Sequence, residues 1–142
     1  MKLTFLGSGG AFTTTNYQSN ILIEQEGHKL LFDCGTDIKW SLKEQNISPT
    51  DIEAIYISHL HSDHIGGLEY IGFMNYFTKV KQGGDRQKLI GDEYVLNDLW
   101  EHCLKSGMRS IQTIDANLET YFRVVPIMEL KEFNFYGLNC KL

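Results

Sequence analysis

Three observations predict an α/β or α+β fold for this 142-residue chain. Short apolar runs of strand length recur through its first half. Stretches of helical composition then alternate with such runs, and from Phe122 onward the sequence reads as strands alone. In order, Leu3–Leu6 is a buried strand stopped by Gly7-Ser8-Gly9-Gly10. Ile21–Glu24 and Lys29–Asp33 flank Glu26-Gly27-His28 and form a hairpin. Asp37–Gln45 has helical composition, and Ser48-Pro49-Thr50-Asp51 breaks it. Ala54–Ser58, rich in β-branched and aromatic residues, is a second buried strand. After His59–His64, Gly66-Gly67 opens a helix reaching Phe77. Lys79–Lys88 is a polar loop, Leu89-Ile90 a short strand, and Asp92–Lys105 an amphipathic helix with Gly107 as its C-terminal glycine. Strands follow at Arg123–Met128 and Glu132–Tyr136, with a third opening at Leu138.

The length is that of one ordinary domain, 1–142, and 42% hydrophobic with 22% charged residues reads as soluble and globular. A net charge of −5 argues against broad nucleic-acid binding through a basic surface. Residues 1–71 hold four Lys and no Arg against nine carboxylates, whereas 72–142 balance nine against nine. Three well-separated cysteines, Cys34, Cys103 and Cys140, form no CxxC pair and point to a reducing compartment. With no signal-like apolar start and no run approaching the ~20 residues of a bilayer span, a cytoplasmic protein without membrane contact is expected. The chain stops at Leu142 inside a strand just begun, so a fragment of a larger fold is expected.

The chemistry concentrates in His59-Leu60-His61-Ser62-Asp63-His64. In an extended or tightly turning segment His59, His61 and Asp63 share parity, with His64 offset by one. Three imidazoles and a carboxylate within six residues are hard to satisfy in an apolar core. Together they suit Zn²⁺, with Mn²⁺ or Fe as other occupants. The motif follows a buried strand, where open α/β sheets gather their ligands. The bland alternative is a His-rich polar loop, but a complete HxHxDH in this setting is far more specific than a lone HxH.

HxHxDH resembles the signature of the metallo-β-lactamase superfamily. Leu6-Gly7-Ser8-Gly9-Gly10-Ala11-Phe12 with Asn20-Ile21-Leu22-Ile23, and Leu31-Phe32-Asp33-Cys34-Gly35, are similar to its tRNase Z-like, phosphodiesterase branch. The resemblance implies an αββα sandwich, incomplete here at its C-terminus. It also implies two divalent metal ions, His59 and His61 binding the first, Asp63 and His64 the second. Asp63 would also act in catalysis by orienting the nucleophile, a metal-bound hydroxide. Asp33 matches a carboxylate that orients a ligand histidine; capping the turn before Gly35 is its equal alternative. The family's remaining ligands lie C-terminal to this motif. Neither His28, in a hairpin turn, nor His102, on a helix surface, matches one.

Gly66–Tyr70, Phe73, Tyr76-Phe77, Leu99–Glu101, Gly107-Met108 and Leu118–Phe122 resemble a phosphodiesterase group that includes the phage anti-Pycsar enzymes, which implies cyclic mononucleotide substrates. The aromatics read mainly as core, with one or two free to stack a base. Lys79, Lys81, Asp85, Arg86 and Lys88 carry +3, read either as a solvated loop or as phosphate attraction. Cys34 reads as buried rather than nucleophilic. The expected function is metal-dependent hydrolysis of a small phosphodiester or nucleotide. One alternative is a tRNA 3′-end endonuclease. The other is a truncated, inactive chain that folds by self-association, and in either form an unfinished sheet favours a homodimer.

Overall fold

A computed structural model describes residues 1–128 and 132–141. Its centre is a six-stranded sheet in the order β1 (Lys2–Gly7), β2 (Asn20–Gln25), β3 (His28–Phe32), β4 (Ala54–Ile57), β5 (Gln87–Asp92) and β8 (Phe122–Ile127). β1, β2 and β3 pair antiparallel, whereas β3, β4, β5 and β8 run parallel. Around it lie α1 (Ile38–Glu44), α2 (Ser62–Ile65), α3 (Leu68–Thr78), α4 (Glu93–Asp98), α5 (Lys105–Met108) and α6 (Leu118–Tyr121). Two hairpins, β6–β7 (Ser110–Ile111, Ile114–Asp115) and β9–β10 (Glu132–Phe135, Leu138–Lys141), stand apart from the main sheet. No described helix is long and apolar enough to cross a membrane.

Register explains why the strands are apolar without a break. Leu22, Leu31, Ile55, Ile57 and Leu89 belong to one face, where they pack with Ile38, Leu42, Leu68 and Ile71 from the helices. Their neighbours Ile23, Leu30, Ala54, Tyr56 and Ile90 form the other face and pack against Phe133, Phe135, Leu138 and Cys140 of the β9–β10 hairpin. Parallel strands buried on both sides need apolar residues at consecutive positions. Ile127 on β8 is buried with this cluster, whereas Leu3 and Phe5 on edge strand β1 remain exposed. At the opposite edge, β8 tolerates Pro126, since an edge strand can lack a donor.

Several elements depart from the sequence reading. The expected two-residue strand Leu89-Ile90 is the six-residue β5, paired on both sides. The helix expected to close at Gly107 runs from Glu93 to Met108, with a wider π-helical stretch at Leu99–Leu104. Gly107 lies inside its final turn, where a β-carbon would stand 2.5 Å from Glu69 Oε2 on α3. It therefore does not terminate the helix, and the nearest atoms a β-carbon would meet belong to the movable end of the exposed Glu69 side chain. The β6–β7 hairpin and α6, whose Asn117 and Thr120 cap each other reciprocally, were not anticipated. Leu142, at the end of the strand expected from Leu138, lies outside the described residues.

Candidate metal centre

Because β3 and β4 are parallel, the residues that follow them emerge at the same edge of the sheet. Asp33 leaves β3 in the left-handed region, at φ 59, a conformation that Asp tolerates better than most residues. Its amide donates to the Tyr56 carbonyl (2.9 Å), and the Cys34 amide donates to that of His64 (2.7 Å). Gly67 N–H in turn donates to the Cys34 carbonyl at 2.9 Å. No side chain fits at Gly67, whose β-carbon would collide with Ile38 and lie 2.5 Å from the Gly35 carbonyl oxygen. From the other side, fully buried Asn20 accepts from Gly35 N–H (2.8 Å) and donates to the Gln18 carbonyl (2.9 Å). The Thr36 hydroxyl donates to the Ser62 carbonyl at 3.1 Å. Three loops are thus stitched together by backbone groups and by the side chains of Asn20 and Thr36.

The motif is not extended throughout. His61 is the N-cap of α2, and its carbonyl accepts from His64 and Ile65 (2.9 and 3.1 Å). Shared parity therefore holds for His59 and His61, while a helical turn carries Asp63 and His64 round to meet them. His59 Nε2 lies 3.1 Å from His61 Nδ1, and His64 Nε2 lies 3.3 Å from Asp63 Oδ2. The rings of His59 and His64 are 4.0 Å apart between centroids. Two donors held about 2.0–2.1 Å from one tetrahedral ion stand about 3.3–3.4 Å apart. The four side chains therefore form two donor pairs, each spaced for adjacent corners of one site. Among the described residues no three His, Cys, Asp or Glu side chains form a metal-holding group.

Asp33 ties the pairs to the sheet. Its carboxylate accepts from His64 Nδ1 (2.7 Å), from the Ser58 amide (2.9 Å) and from the Ser58 hydroxyl (2.9 Å). The carboxylate contacts the His64 ring and Ser58 but caps no amide of the turn at Gly35, where the Gly35 and Thr36 amides donate to the side chains of Asn20 and Gln18 instead. Burial holds the His59 imidazole below its ordinary pKa, the neighbouring His64 and His61 rings add to this, and Asp33 and Asp63 oppose it. The ring is thus biased towards the neutral form that a metal requires. Burial, reinforced by the charge of Asp33, pushes the Cys34 thiol well up, which removes it as a nucleophile.

Other candidates lie elsewhere. His28 stacks on Tyr136 and contacts Glu53 at 2.5 Å, and exposed His102 faces Asp98 at 3.8 Å. Phe73 and Tyr76 pack on Tyr121 in the core, with ring centroids 5.5 and 5.6 Å away. The basic loop precedes β5, so it sits at the end of the sheet opposite the histidines. There it borders a groove of about 930 Å³ whose basic side chains, Lys79, Arg86, Lys88 and Arg123, are matched by four acidic ones. Lys79 Nζ donates to the Thr50 carbonyl and Arg86 Nε to that of Thr120 (3.3 Å), so the loop is braced against the protein. Ser58 and Asn20 were missed by sequence reasoning. The available signals were a hydroxyl immediately before the first histidine and an Asn opening a buried strand.

The comparisons agree with this architecture. A protein of Saccharibacillus brassicae called Anti-Pycsar protein Apyc1 is 39% identical over 108 residues, covering 76% of this chain and 43% of that protein. One of the same name from Paenibacillus harenae is 36% identical over 143 residues, covering 100% and 57%. The chain thus spans about half the length of the curated relatives it matches. Among solved structures, a diphosphatase of the PhnP family superposes with a TM-score of 0.71 at 21% identity, covering 96% of this chain and 54% of that one. A metallo-β-lactamase-fold protein of Bacillus subtilis gives 0.65 at 18%, covering 94% and 49%. The short form of human tRNase Z gives 0.57 at 28%, covering 70% and 39%. The family described as Anti-Pycsar protein Apyc1 matches residues 1–142 in full, and with two donor pairs at the edge of a metallo-β-lactamase-type sheet, this chain belongs to that family.

Proposed function

We propose that the chain supplies the first half of a dinuclear metal site in a hydrolase that cleaves phosphodiesters, with cyclic mononucleotides as substrates. The observation that carries this reading is the convergence of His59 with His61, and of Asp63 with His64, at donor spacings of 3.1 and 3.3 Å. Divalent ions held there, Zn²⁺ first among them and Mn²⁺ or Fe as alternatives, would supply Lewis acidity towards phosphoryl oxygens and water activated near neutral pH. The protein's own part is orientation. Asp33 fixes the His64 ring, and Asp63 stands at the start of α2 with a carboxylate able to accept a hydrogen bond from an attacking water. The resemblance of the downstream segments to anti-Pycsar enzymes supports a cyclic mononucleotide over a polymer, as does the acidic first half of the chain.

The test is turnover of cyclic mononucleotides by the Zn²⁺- or Mn²⁺-loaded chain, with a full-length relative as positive control. Linear mononucleotide as the product supports the reading. Cleavage of precursor tRNA with cyclic mononucleotides left intact would replace it by the second reading, a tRNA 3′-end endonuclease, which the 28% identity to tRNase Z favours. Metal binding with neither activity would leave a chain that is inactive by itself.

A further inference from the structure

Ser58 lies between the Asp33 carboxylate and the first histidine of the motif. Its hydroxyl oxygen is 2.9 Å from each Asp33 carboxylate oxygen and 3.0 Å from His59 Nδ1. A hydroxyl has one hydrogen to give, and a carboxylate only accepts. The hydrogen therefore goes to Asp33, and towards His59 the same oxygen can only accept. Were it instead given to His59, oxygen lone pairs would face each other across 2.9 Å. Nδ1 of His59 must then carry the ring hydrogen, which leaves the Nε2 lone pair aimed at the gap shared with His61 Nδ1. On the other side, Asp33 Oδ2 accepts from His64 Nδ1 at 2.7 Å and leaves His64 Nε2 with its lone pair towards Asp63.

We propose that Ser58 is a positioning residue, a one-hydroxyl relay through which Asp33 sets the tautomer of His59 while setting that of His64 directly. One carboxylate on β3 thereby prepares one histidine in each donor pair. This deepens the metal-site reading and rests on it for its purpose, whereas the relay itself is a property of the metal-free chain.

The experiment reads the histidine tautomers and the metal affinity separately. Long-range ¹H–¹⁵N spectra of the metal-free chain at about pH 8, where imidazoles are neutral, should show His59 with its hydrogen on Nδ1. Ser58→Thr, which keeps the hydroxyl, should show the same. Ser58→Ala should move the hydrogen to Nε2, the form favoured by a free imidazole. In competition with a chromophoric chelator, Ser58→Ala should also bind Zn²⁺ roughly 10- to 100-fold more weakly than the native chain, with Ser58→Thr close to native. An Nε2–H tautomer at His59 in the native chain overturns the relay without need of any variant, even where Zn²⁺ binds tightly. So does an unchanged Nδ1–H tautomer in folded Ser58→Ala. A native chain with the Nδ1–H tautomer that takes up no Zn²⁺ supports the relay and defeats the metal-site reading instead.

Discussion

Both ends of the central sheet gather ionisable groups, and they use them in opposite ways. At the end where β4 delivers Ser58 and His59, donor atoms are brought within 3.1–3.3 Å of one another with little to separate them. At the other end, where β5 begins, four basic and four acidic side chains line a broad groove, and Lys79 and Arg86 are spent on backbone carbonyls. Like groups crowded together cost free energy unless a cation or proton is shared among them. Opposite groups spread over a groove cost little and hold little. On the proposed reading, the chemistry lies where donor atoms crowd and not where charges are most numerous or the groove is broadest.

The contrast can be broken most sharply by removing donors. His59→Ala with His61→Ala should lower phosphodiester turnover by about 10²–10⁴, the equivalent of several kcal/mol of metal-derived stabilisation. Loss within twofold would mean that this end is not the reacting one. Asp33→Ala comes next. It should weaken Zn²⁺ binding roughly 10- to 100-fold by freeing the His64 ring, measured by chelator competition. Gly67→Ala tests the packing beneath the site, since its β-carbon has no room between Ile38 and the Cys34–Gly35 turn. We expect a loss of ~1–3 kcal/mol in denaturant unfolding, and full stability would show that the loop yields easily. The smallest effect belongs to the other end. Arg86→Ala with Lys88→Ala should change stability by no more than about 0.5 kcal/mol for each substitution and leave Zn²⁺ affinity unchanged. A clear drop in affinity would erase the distinction between the two ends.

What could be read in the sequence followed the strength of local signals. Continuous apolar runs located β2, β3 and β4, and Glu26-Gly27-His28 located the hairpin turn, because these depend on near neighbours. HxHxDH stood out because three imidazoles and a carboxylate in six residues have few structural uses. β5 was underestimated because Gln87, Lys88 and Asp92 are polar, although Gln87 is buried and donates to the carbonyls of Pro49 and Ile52 at 2.7 Å. Parity misjudged Asp63 because the chain turns helical at Ser62, where glycines at 66 and 67 permit close packing. The basic loop was read from its charge alone, as solvated or as attracting phosphate, and its distance from the histidines was not legible. A loop that enters a parallel strand lies at the opposite end from one that leaves its neighbour, and that follows only once β4 and β5 are known to be parallel. Ser58 was overlooked because its part depends on Asp33, 25 residues earlier in the chain.

The most direct measurement is metal content after equilibrium dialysis against Zn²⁺, comparing the native chain with one carrying His59→Ala, His61→Ala, Asp63→Ala and His64→Ala together. If these four side chains are the ligands, the native chain retains up to two ions and the fourfold variant none, although His28 and His102 remain in both. A native chain that retains no Zn²⁺, or a variant that retains as much as the native chain, would contradict that assignment.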